Sequence, residues 1–263
     1  MDLLISGYFM ALLVGVLLGL VGSGGSILTV PVLVYILGFD VVTATGYSLF
    51  VVGGTALVGG LRNAYQHNVN FTIVMLFGIP SLIAAYLVRA FLIPAIPHAI
   101  FTVSTFTVTK PLLLMVIFGA TMLLAALKMI RSAPITSNVE KLSGGKIIVS
   151  GIITGLLAGA IGAGGGFLII PALVFLAALP IKKAIGTSLL IIAIQSLAGF
   201  AGDAFEQSIN WGFLLPFTGV AIAGIFIGIL ASSKIEGEKL KNGFGYFLLL
   251  MGVYIIIKEL FIK

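Results

Sequence analysis

Apolar residues fall in eight long runs along this chain, separated by short breaks of polar, charged, glycine or proline residues. The runs cover residues 3–37, 44–61, 71–88, 111–129, 147–178, 185–200, 211–231 and 243–257. A membrane-spanning α-helix needs about 20 mostly apolar residues. The pattern therefore predicts an all-α, polytopic membrane protein with about eight transmembrane helices.

Two of the runs are too long to be one straight transmembrane helix. Residues 2–37 would extend about 54 Å and residues 147–178 about 48 Å, whereas the hydrocarbon core of a bilayer is about 30 Å thick. Each run contains a glycine cluster, Gly22-Ser23-Gly24-Gly25-Ser26 in the first and Gly162-Ala163-Gly164-Gly165-Gly166 in the second. We expect the first helix of each half to be broken at its cluster.

The two clusters, which begin at Gly22 and Gly162, belong to a longer internal repeat. Residues 15–49, aligned without gaps on residues 155–189, share fourteen identities in 35 positions, where this composition gives roughly three or four by chance. This predicts one membrane domain over residues 1–263, with four-helix repeats at 1–130 and 147–263 and a connecting loop at 131–146. An even number of crossings per repeat predicts parallel repeats, whereas one uncounted crossing in each would invert them.

Composition excludes a soluble protein, because 60% of the residues are hydrophobic and only 8% are charged, against about 45–50% and 25% in an average soluble domain. The net charge of +6 is spread over the breaks instead of forming one basic face, so we expect no nucleic-acid partner. We predict a multi-pass protein of the cell (plasma) membrane, embedded in the lipid bilayer. If every run crosses once, seven Lys and Arg residues fall on each side, which leaves the orientation undetermined.

The sequence lacks the groups that catalysis would need. It has no cysteine, no H-E-x-x-H zinc motif, no paired acids within the apolar runs and no G-x-x-x-x-G-K-[ST] phosphate-binding loop. We therefore expect no enzyme activity, no metal ion, no cofactor and no ATP-driven transport.

The glycine clusters are the candidate substrate site. A helix that restarts after a break has main-chain N–H groups without intrahelical partners and a partial positive charge at its N-terminus, so it can bind an anion without a charged side chain. We predict substrate binding by residues of both clusters: Ser23, Gly24, Gly25, Ser26, Gly164, Gly165 and Gly166. The alternative is that these glycines only allow close helix packing, which is our interpretation of Gly15-xxx-Gly19 and Gly224-xxx-Gly228.

A second repeated element adds hydroxyl groups to the prediction. Ala44-x-Gly46-x-Ser48 recurs as Ala184-x-Gly186-Thr187-Ser188, and Ser48, Thr187 and Ser188 could donate uncharged hydrogen bonds to an oxyanion. A role in helix capping, or a bond to a carbonyl of the same helix, is the alternative. Gln195, within the same run as Ser188, is either a further ligand or a hydrogen-bonding link between helices.

These motifs together resemble the sulfite exporter TauE/SafE family of membrane transporters. The resemblance rests on Gly22-Ser23-Gly24-Gly25-Ser26-x4-Pro31, its second copy ending at Pro171, the two Gly-x-Ser elements and the loop Gln66-His67-Asn68-Val69-Asn70-Phe71. It covers nearly the whole chain and implies secondary transport of sulfur-containing anions such as sulfite or organosulfonates. The second copy has Ala163 and Gly166 in place of Ser23 and Ser26, so a lopsided site is expected.

The sequence thus predicts a secondary transporter that binds a small anion between two glycine-broken helices. The alternatives are a transporter or channel for another small solute, and a membrane scaffold that transports nothing. The sequence leaves open whether the chain forms a homodimer. We further predict that Gly25→Val and Gly165→Val abolish transport and leave the protein folded.

Overall fold

The structure is a computed structural model that describes residues 2–92, 95, 97, 99–103, 106–131, 144–161, 166–203 and 209–261. Most of this chain is helical, as predicted. The helices are α1 (Asp2–Val21), α2 (Gly24–Pro31), α3 (Val41–Tyr65), α4 (Phe71–Leu92), α5 (Lys110–Arg131), α6 (Gly144–Ile161), α7 (Gly166–Phe175), α8 (Ile181–Asp203), α9 (Trp211–Lys234) and α10 (Gly237–Phe261). A π-helical turn over Val32–Ile36 extends α2. Between α4 and α5, β1 (Ala99–Val103) pairs antiparallel with β2 (Phe106–Thr109).

Five of the described helices are long and apolar enough to cross a membrane, which agrees with a multi-pass membrane protein. They cover Thr43–Tyr65, Phe71–Leu92, Ile181–Ala201, Trp211–Lys234 and Gly237–Lys258. Shorter apolar helices cover Ser6–Val21, Gly25–Ile36 and Gly144–Ala158.

The chain reverses direction at the first glycine cluster. Gly22 has a φ of 76°, a left-handed conformation that glycine adopts without steric strain. Beyond it, α2 runs back along α1: a methyl group on Gly25 would meet the carbonyl oxygen of Val14, and one on Gly7 would meet the side chain of Leu37. The first apolar run is therefore a helical hairpin, not one broken crossing.

The ends of α2 and α7 have the same main-chain hydrogen bonds at corresponding positions of the repeat. Gly38 and Ala178, which correspond to each other just after these helices, both have positive φ, 73° and 50°. The recurring bonds run from Leu37 N to Val32 O (3.1 Å), from Ala177 N to Ala172 O (3.2 Å), from Phe39 N to Leu33 O (3.0 Å) and from Leu179 N to Leu173 O (3.0 Å). The two segments therefore end in the same local conformation.

Helices of the first half pair with helices of the second half in a reciprocal way. α1 packs along α9 and α4 packs along α6, and both pairs run parallel, because residue numbers rise together along the contacts. α3 packs against α8 and α5 against α10, and both of these pairs are antiparallel. The close approaches that fix these directions are Gly15 to Ala221, Gly19 to Ile225, Gly151 to Phe77, Gly155 to Ser81, Gly53 to Leu197, Gly60 to Leu190, Gly119 to Ile256 and Gly245 to Met129.

The predicted parallel arrangement of the two halves is therefore wrong. Corresponding helices, α3 with α8 and α5 with α10, run in opposite directions. The reason is the reversal at Gly22, which adds a helical segment that counting apolar runs did not include. With five segments before the second half begins, the second half starts in the opposite direction.

Contacts between loops divide the helix ends into two groups. The terminal end contains the start of α1 and the end of α10, and Lys258 Nζ donates to Tyr35 Oη there at 2.8 Å. The opposite end contains the starts of α4 and α8 and the end of α9, and Lys182 Nζ donates to the carbonyl of Ser233 there at 3.2 Å. The start of α1 and the end of α10 thus lie at the same end of the helices.

Basic residues are unequally divided between these two ends. Among the described residues, three lie at the terminal end, namely Arg89, Lys110 and Lys258. Nine lie at the opposite end, namely Arg62, Lys128, Arg131, Lys146, Lys182, Lys183, Lys234, Lys239 and Lys241. The predicted equal division was wrong because it treated the first run of each half as a single crossing.

The core lies around α7 and α8. Ile169, Ile170 and Leu173 of α7 and Leu189 and Ile191 of α8 are fully buried. This apolar centre holds the hairpin of α1 and α2 against the second half of the chain.

Candidate functional site

The tip of the hairpin, residues 22–26, carries a buried hydroxyl group at the start of α2. Ser23 is the residue before the first turn of α2, but its side chain makes no capping hydrogen bond. The residue is 0% exposed, and within the described part of the chain its Oγ has no hydrogen-bond partner. A buried polar group without a partner is destabilising by about 1–3 kcal/mol, so this hydroxyl is a group that a ligand could satisfy.

The other hydroxyl groups of α2 are already engaged within the helix. Ser26 Oγ donates to the carbonyl of Ser23 at 2.7 Å, and Thr29 Oγ1 donates to the carbonyl of Gly25 at 2.9 Å. Such bonds to a preceding carbonyl are common for serine and threonine in helices. Ser23 therefore differs from Ser26 and Thr29 in that its hydroxyl makes no hydrogen bond to α2.

The hairpin tip contacts α7 and α8 of the second half. A methyl group built on Gly22 would lie 2.8 Å from Ser188 Oγ and 3.1 Å from the side chain of Ile170. One built on Gly166, the first residue of α7, would lie 3.3 Å from Ser26 Oγ. The structure thus brings the first glycine cluster together with two predicted residues of the second half, Gly166 and Ser188.

The other predicted residues lie elsewhere or make different contacts. Thr187 Oγ1 accepts a hydrogen bond from the main-chain N–H of Asn70 at 3.0 Å. Gln195 Nε2 donates to Ser81 Oγ at 3.0 Å and so links α8 to α4. This is the alternative role predicted for Gln195, a hydrogen-bonding link between helices. Both side chains hold helices together in this structure.

Ser48 is buried in α3 but far from the hairpin tip. The antiparallel pairing of α3 with α8 puts Leu49 beside Gly199, whereas Ser188 lies near the pair of Gly60 with Leu190. Eleven residues of helix, about 17 Å, separate these two levels. Gly164 and Gly165, the remaining predicted residues, lie outside the described residues.

Two asparagines that were not among the predicted site residues anchor the helix starts. Asn210 N donates to Tyr47 Oη at 2.7 Å, as Asn70 N does to Thr187, and each asparagine accepts a bond from the third residue of its helix, Ile73 or Phe213. Asn70 with Thr187 and Asn210 with Tyr47 are the same contact made twice, with the two halves exchanging roles. The alignment of Asn70-Phe71 with Asn210-Trp211 is the sequence signal for this contact.

The two helices that begin at the glycine clusters, α2 and α7, carry no charged residue. The sequence has no charged residue between Asp2 and Asp40 or between Lys146 and Lys182, which covers α2 and α7 entirely. Within the described ranges, no three His, Asp or Glu residues cluster in a way that could hold a metal ion. The chemistry at the tip is therefore that of main-chain N–H groups and hydroxyls in an apolar environment.

Comparison with known proteins decides the family. The profile described as "Sulfite exporter TauE/SafE" matches residues 8–255. The chain belongs to the TauE/SafE sulfite exporter family. The resemblance inferred from the glycine and Gly-x-Ser motifs is thereby confirmed.

Several TauE/SafE relatives match over nearly their whole length. A "Probable membrane transporter protein" of Xylella fastidiosa (strain 9a5c) is 29% identical over 252 residues, covering 93% of this chain and 91% of the relative. "Probable membrane transporter protein MJ0441" of Methanocaldococcus jannaschii is 28% identical, covering 93% and 92%. "Probable membrane transporter protein YunE" of Bacillus subtilis is 26% identical, covering 96% and 97%. The family and these relatives support a membrane transporter.

Proposed function

We propose that this protein is a secondary transporter of small sulfur-containing anions, such as sulfite or organosulfonates, and that the anion binds at the hairpin tip. The observation that carries the proposal is Ser23, a fully buried hydroxyl without a partner at the N-terminus of α2. The first N–H groups of a helix also lack intrahelical partners and carry partial positive charge. An oxyanion at this position would accept hydrogen bonds from both.

The proposed site is smaller than the one that the sequence predicts. It consists of Ser23, Gly24, Gly25 and Ser26 with Gly166 and Ser188, which the close contacts of the tip support. Thr187 and Gln195 are assigned to positioning helices because their side chains bond to α4 or its loop. Gly164, Gly165 and Ser48 remain candidates from the repeat alone.

We further propose that the two halves are inverted repeats of five helical segments each. The reciprocal helix pairs and the hydrogen bonds that recur at corresponding positions of the two halves support this. Inverted repeats let a transporter expose one central site to either side by exchanging the conformations of its halves. The meeting of α2 with α7, which run antiparallel where Ser26 approaches Gly166, suits such a central site.

The unequal division of basic residues gives an orientation. Short cytoplasmic loops are enriched in Lys and Arg, and nine of the twelve described basic residues lie at the opposite end, three at the terminal end. We propose that the opposite end faces the cytoplasm and that both chain ends face outward.

The transport proposal is tested by sulfite flux into proteoliposomes containing the purified protein. Ser23→Ala removes the unpaired hydroxyl, and losing a hydrogen bond to a charged group is worth about 1.5–3 kcal/mol. We expect the apparent affinity for sulfite to fall about 10- to 100-fold. Absence of sulfite or sulfonate flux in the wild-type protein would overturn the proposal.

Ser150→Ala is the matched control. Ser150 is also a buried serine, but its Oγ donates to the carbonyl of Lys146 within α6 at 2.7 Å, so its removal leaves that carbonyl with its helical partner. We expect its transport to equal that of the wild type. An equal loss in both variants would contradict a specific role for Ser23.

Gly25→Val is unsuitable for this purpose, and the expectation that it leaves the protein folded is withdrawn. Gly25 lies against the carbonyl oxygen of Val14 and 2.7 Å from the side chain of Leu18, measured from a built methyl group. A valine there would push α2 off α1. Loss of transport in that variant would report the loss of the hairpin.

A further inference from the structure

We infer that the hairpin tip binds anions in their singly charged form and excludes dianions, so that sulfite crosses as hydrogensulfite with its own proton. This rests on the proposed function and adds the charge state of the substrate. Proton movement would then follow from the substrate and would need no titrating group of the protein.

The groups around the tip are all neutral. Within the described residues, the polar ones are the hydroxyls of Ser23, Ser26 and Ser188, and all three residues are buried. Ser188 Oγ donates to the carbonyl of Ile185 at 2.9 Å. The apolar residues that approach the tip glycines are Val14, Leu18, Ile170, Ile185 and Ile192. A bound anion therefore meets dipoles and apolar surface.

Charged residues on the surrounding helices are confined to the helix ends. α7 has none, and the central residues 184–202 of α8 have none. Those at the ends are Asp2 of α1, Asp40 after α2, Arg62 of α3, Lys146 of α6, Lys182, Lys183 and Asp203 of α8, Lys234 of α9, and Glu238, Lys239, Lys241, Lys258 and Glu259 of α10. Lys182 donates to Ser233, and Arg62 and Lys183 are exposed, where water and salt screen their charge. Lys241, in contrast, is buried near the start of α10.

A neutral, dipolar site discriminates strongly by charge. The energy for moving an ion from water into a poorly polarisable environment rises with the square of its charge. Its attraction to a helix N-terminus or a hydroxyl rises only in proportion to the charge. Going from a monoanion to a dianion thus doubles the attraction but quadruples the penalty. No cation among the described residues that approach the tip glycines offsets the difference.

For sulfite, the consequence is that each anion crosses the membrane together with one proton. Sulfite and hydrogensulfite interconvert near neutral pH by gain or loss of one proton on the anion. If only hydrogensulfite occupies the site, one proton and one sulfite cross together, and the proton is released to water wherever the dianion is favoured. The described residues that approach the tip glycines supply no acid or base for this step.

The test compares three anions in proteoliposomes across a pH series, with empty vesicles subtracted. Methanesulfonate is a monoanion throughout the series, sulfate is a dianion, and sulfite changes between the two. At low concentration we expect sulfite flux to rise roughly tenfold per unit of acidification on the alkaline side of its dissociation, because each unit is one tenfold step in the protonated fraction. Methanesulfonate flux should stay constant, and sulfate flux should stay near background.

A pH-sensitive dye inside the vesicles gives a second measurement. Sulfite uptake from an acidic bath should acidify the lumen, whereas methanesulfonate uptake should not. Ser23→Ala should lower sulfite flux but keep its dependence on pH, because the titrating group belongs to the substrate.

The failures are distinguishable from those of the proposed function. Flux of none of the three anions would overturn the transporter proposal itself. Sulfate flux equal to that of methanesulfonate, or sulfite flux that rises with pH, would overturn only the inference about charge. A pH dependence that disappears in Ser23→Ala would also overturn it.

Discussion

Replacement of Gly15 by alanine should separate α1 from α9. A methyl group at this position would meet the carbonyl oxygen of Ala221 and lie 2.8 Å from its carbonyl carbon. Carbon atoms in good contact are about 3.5–4.0 Å apart, so the two backbones must move apart by about 1 Å along this face. Gly19, Gly224 and Gly228 make similar approaches in the same interface, which confirms the prediction that these glycines serve close packing.

The magnitude follows from overpacking, which typically destabilises a protein by about 1–3 kcal/mol. Gly219→Ala is the matched control because it lies in α9, one of the two helices concerned, and its added methyl group would have no atom within 4 Å. There alanine should be neutral or stabilising by up to about 1 kcal/mol through its helix propensity. Both changes replace glycine by alanine within a helix, so the gain in helix propensity is common to them. The unfolding free energies of the two variants in mixed detergent micelles should therefore differ by about 1–3 kcal/mol, the cost of overpacking. Equal unfolding free energies would refute the assigned contact of α1 with α9.

Two further predictions use corresponding positions and the absence of cysteine. Gly38→Ala should destabilise the protein by about 1 kcal/mol and Ala178→Gly should be neutral or stabilising, because both positions have positive φ and only glycine adopts it freely; thermal unfolding showing the same sign for both changes would contradict this. Since the chain has no cysteine, single cysteines report orientation without background. An impermeant maleimide should label Asp40→Cys on intact cells and Glu238→Cys only after permeabilisation, and the reverse pattern would place the basic end outside.

The positions of the helices and of the first break could be predicted from the sequence, but the direction of the chain after the break could not. Hydropathy and the glycine cluster are equally compatible with a kink and with a reversal, because both free the same main-chain groups. What decides between them is the positive φ of Gly22 together with the contact of Gly25 on Val14. That contact joins residues eleven positions apart and depends on the fold of the hairpin.

The same limit applies to the orientation in the membrane. Counting Lys and Arg over single crossings gave a tie, whereas adding the reversal assigns Arg62 and Lys258 to opposite ends. The charges did not change, but the side to which each belongs did. Leaving one helical segment out of each half thus hid the excess of Lys and Arg at one end of the helices.

The candidate site was partly accessible to sequence reasoning because hydroxyl groups were identified by type and repeat position. Residue type could not show which hydroxyls already have a hydrogen-bond partner. Ser26 Oγ donates to the carbonyl of Ser23, and Thr187 Oγ1 accepts from Asn70 N. Of these three hydroxyls, only that of Ser23 is left unpaired. The hydrogen-bond partner of a hydroxyl depends on the direction of its side chain in the folded hairpin. A shift of one residue along the chain can move a hydroxyl from beside a helix carbonyl to a position without a partner.

The unpaired hydroxyl of Ser23 also bears on the predicted asymmetry between the two glycine clusters. The position corresponding to Ser23 in the second half is Ala163, and that corresponding to Ser26 is Gly166, so the repeat preserves the glycines but not the hydroxyls. A buried hydroxyl without a partner is destabilising, and alanine at this position would avoid that loss. A ligand that satisfies Ser23 would offset that loss, and an anion bound there would make hydroxyl contacts to only one of the two glycine clusters.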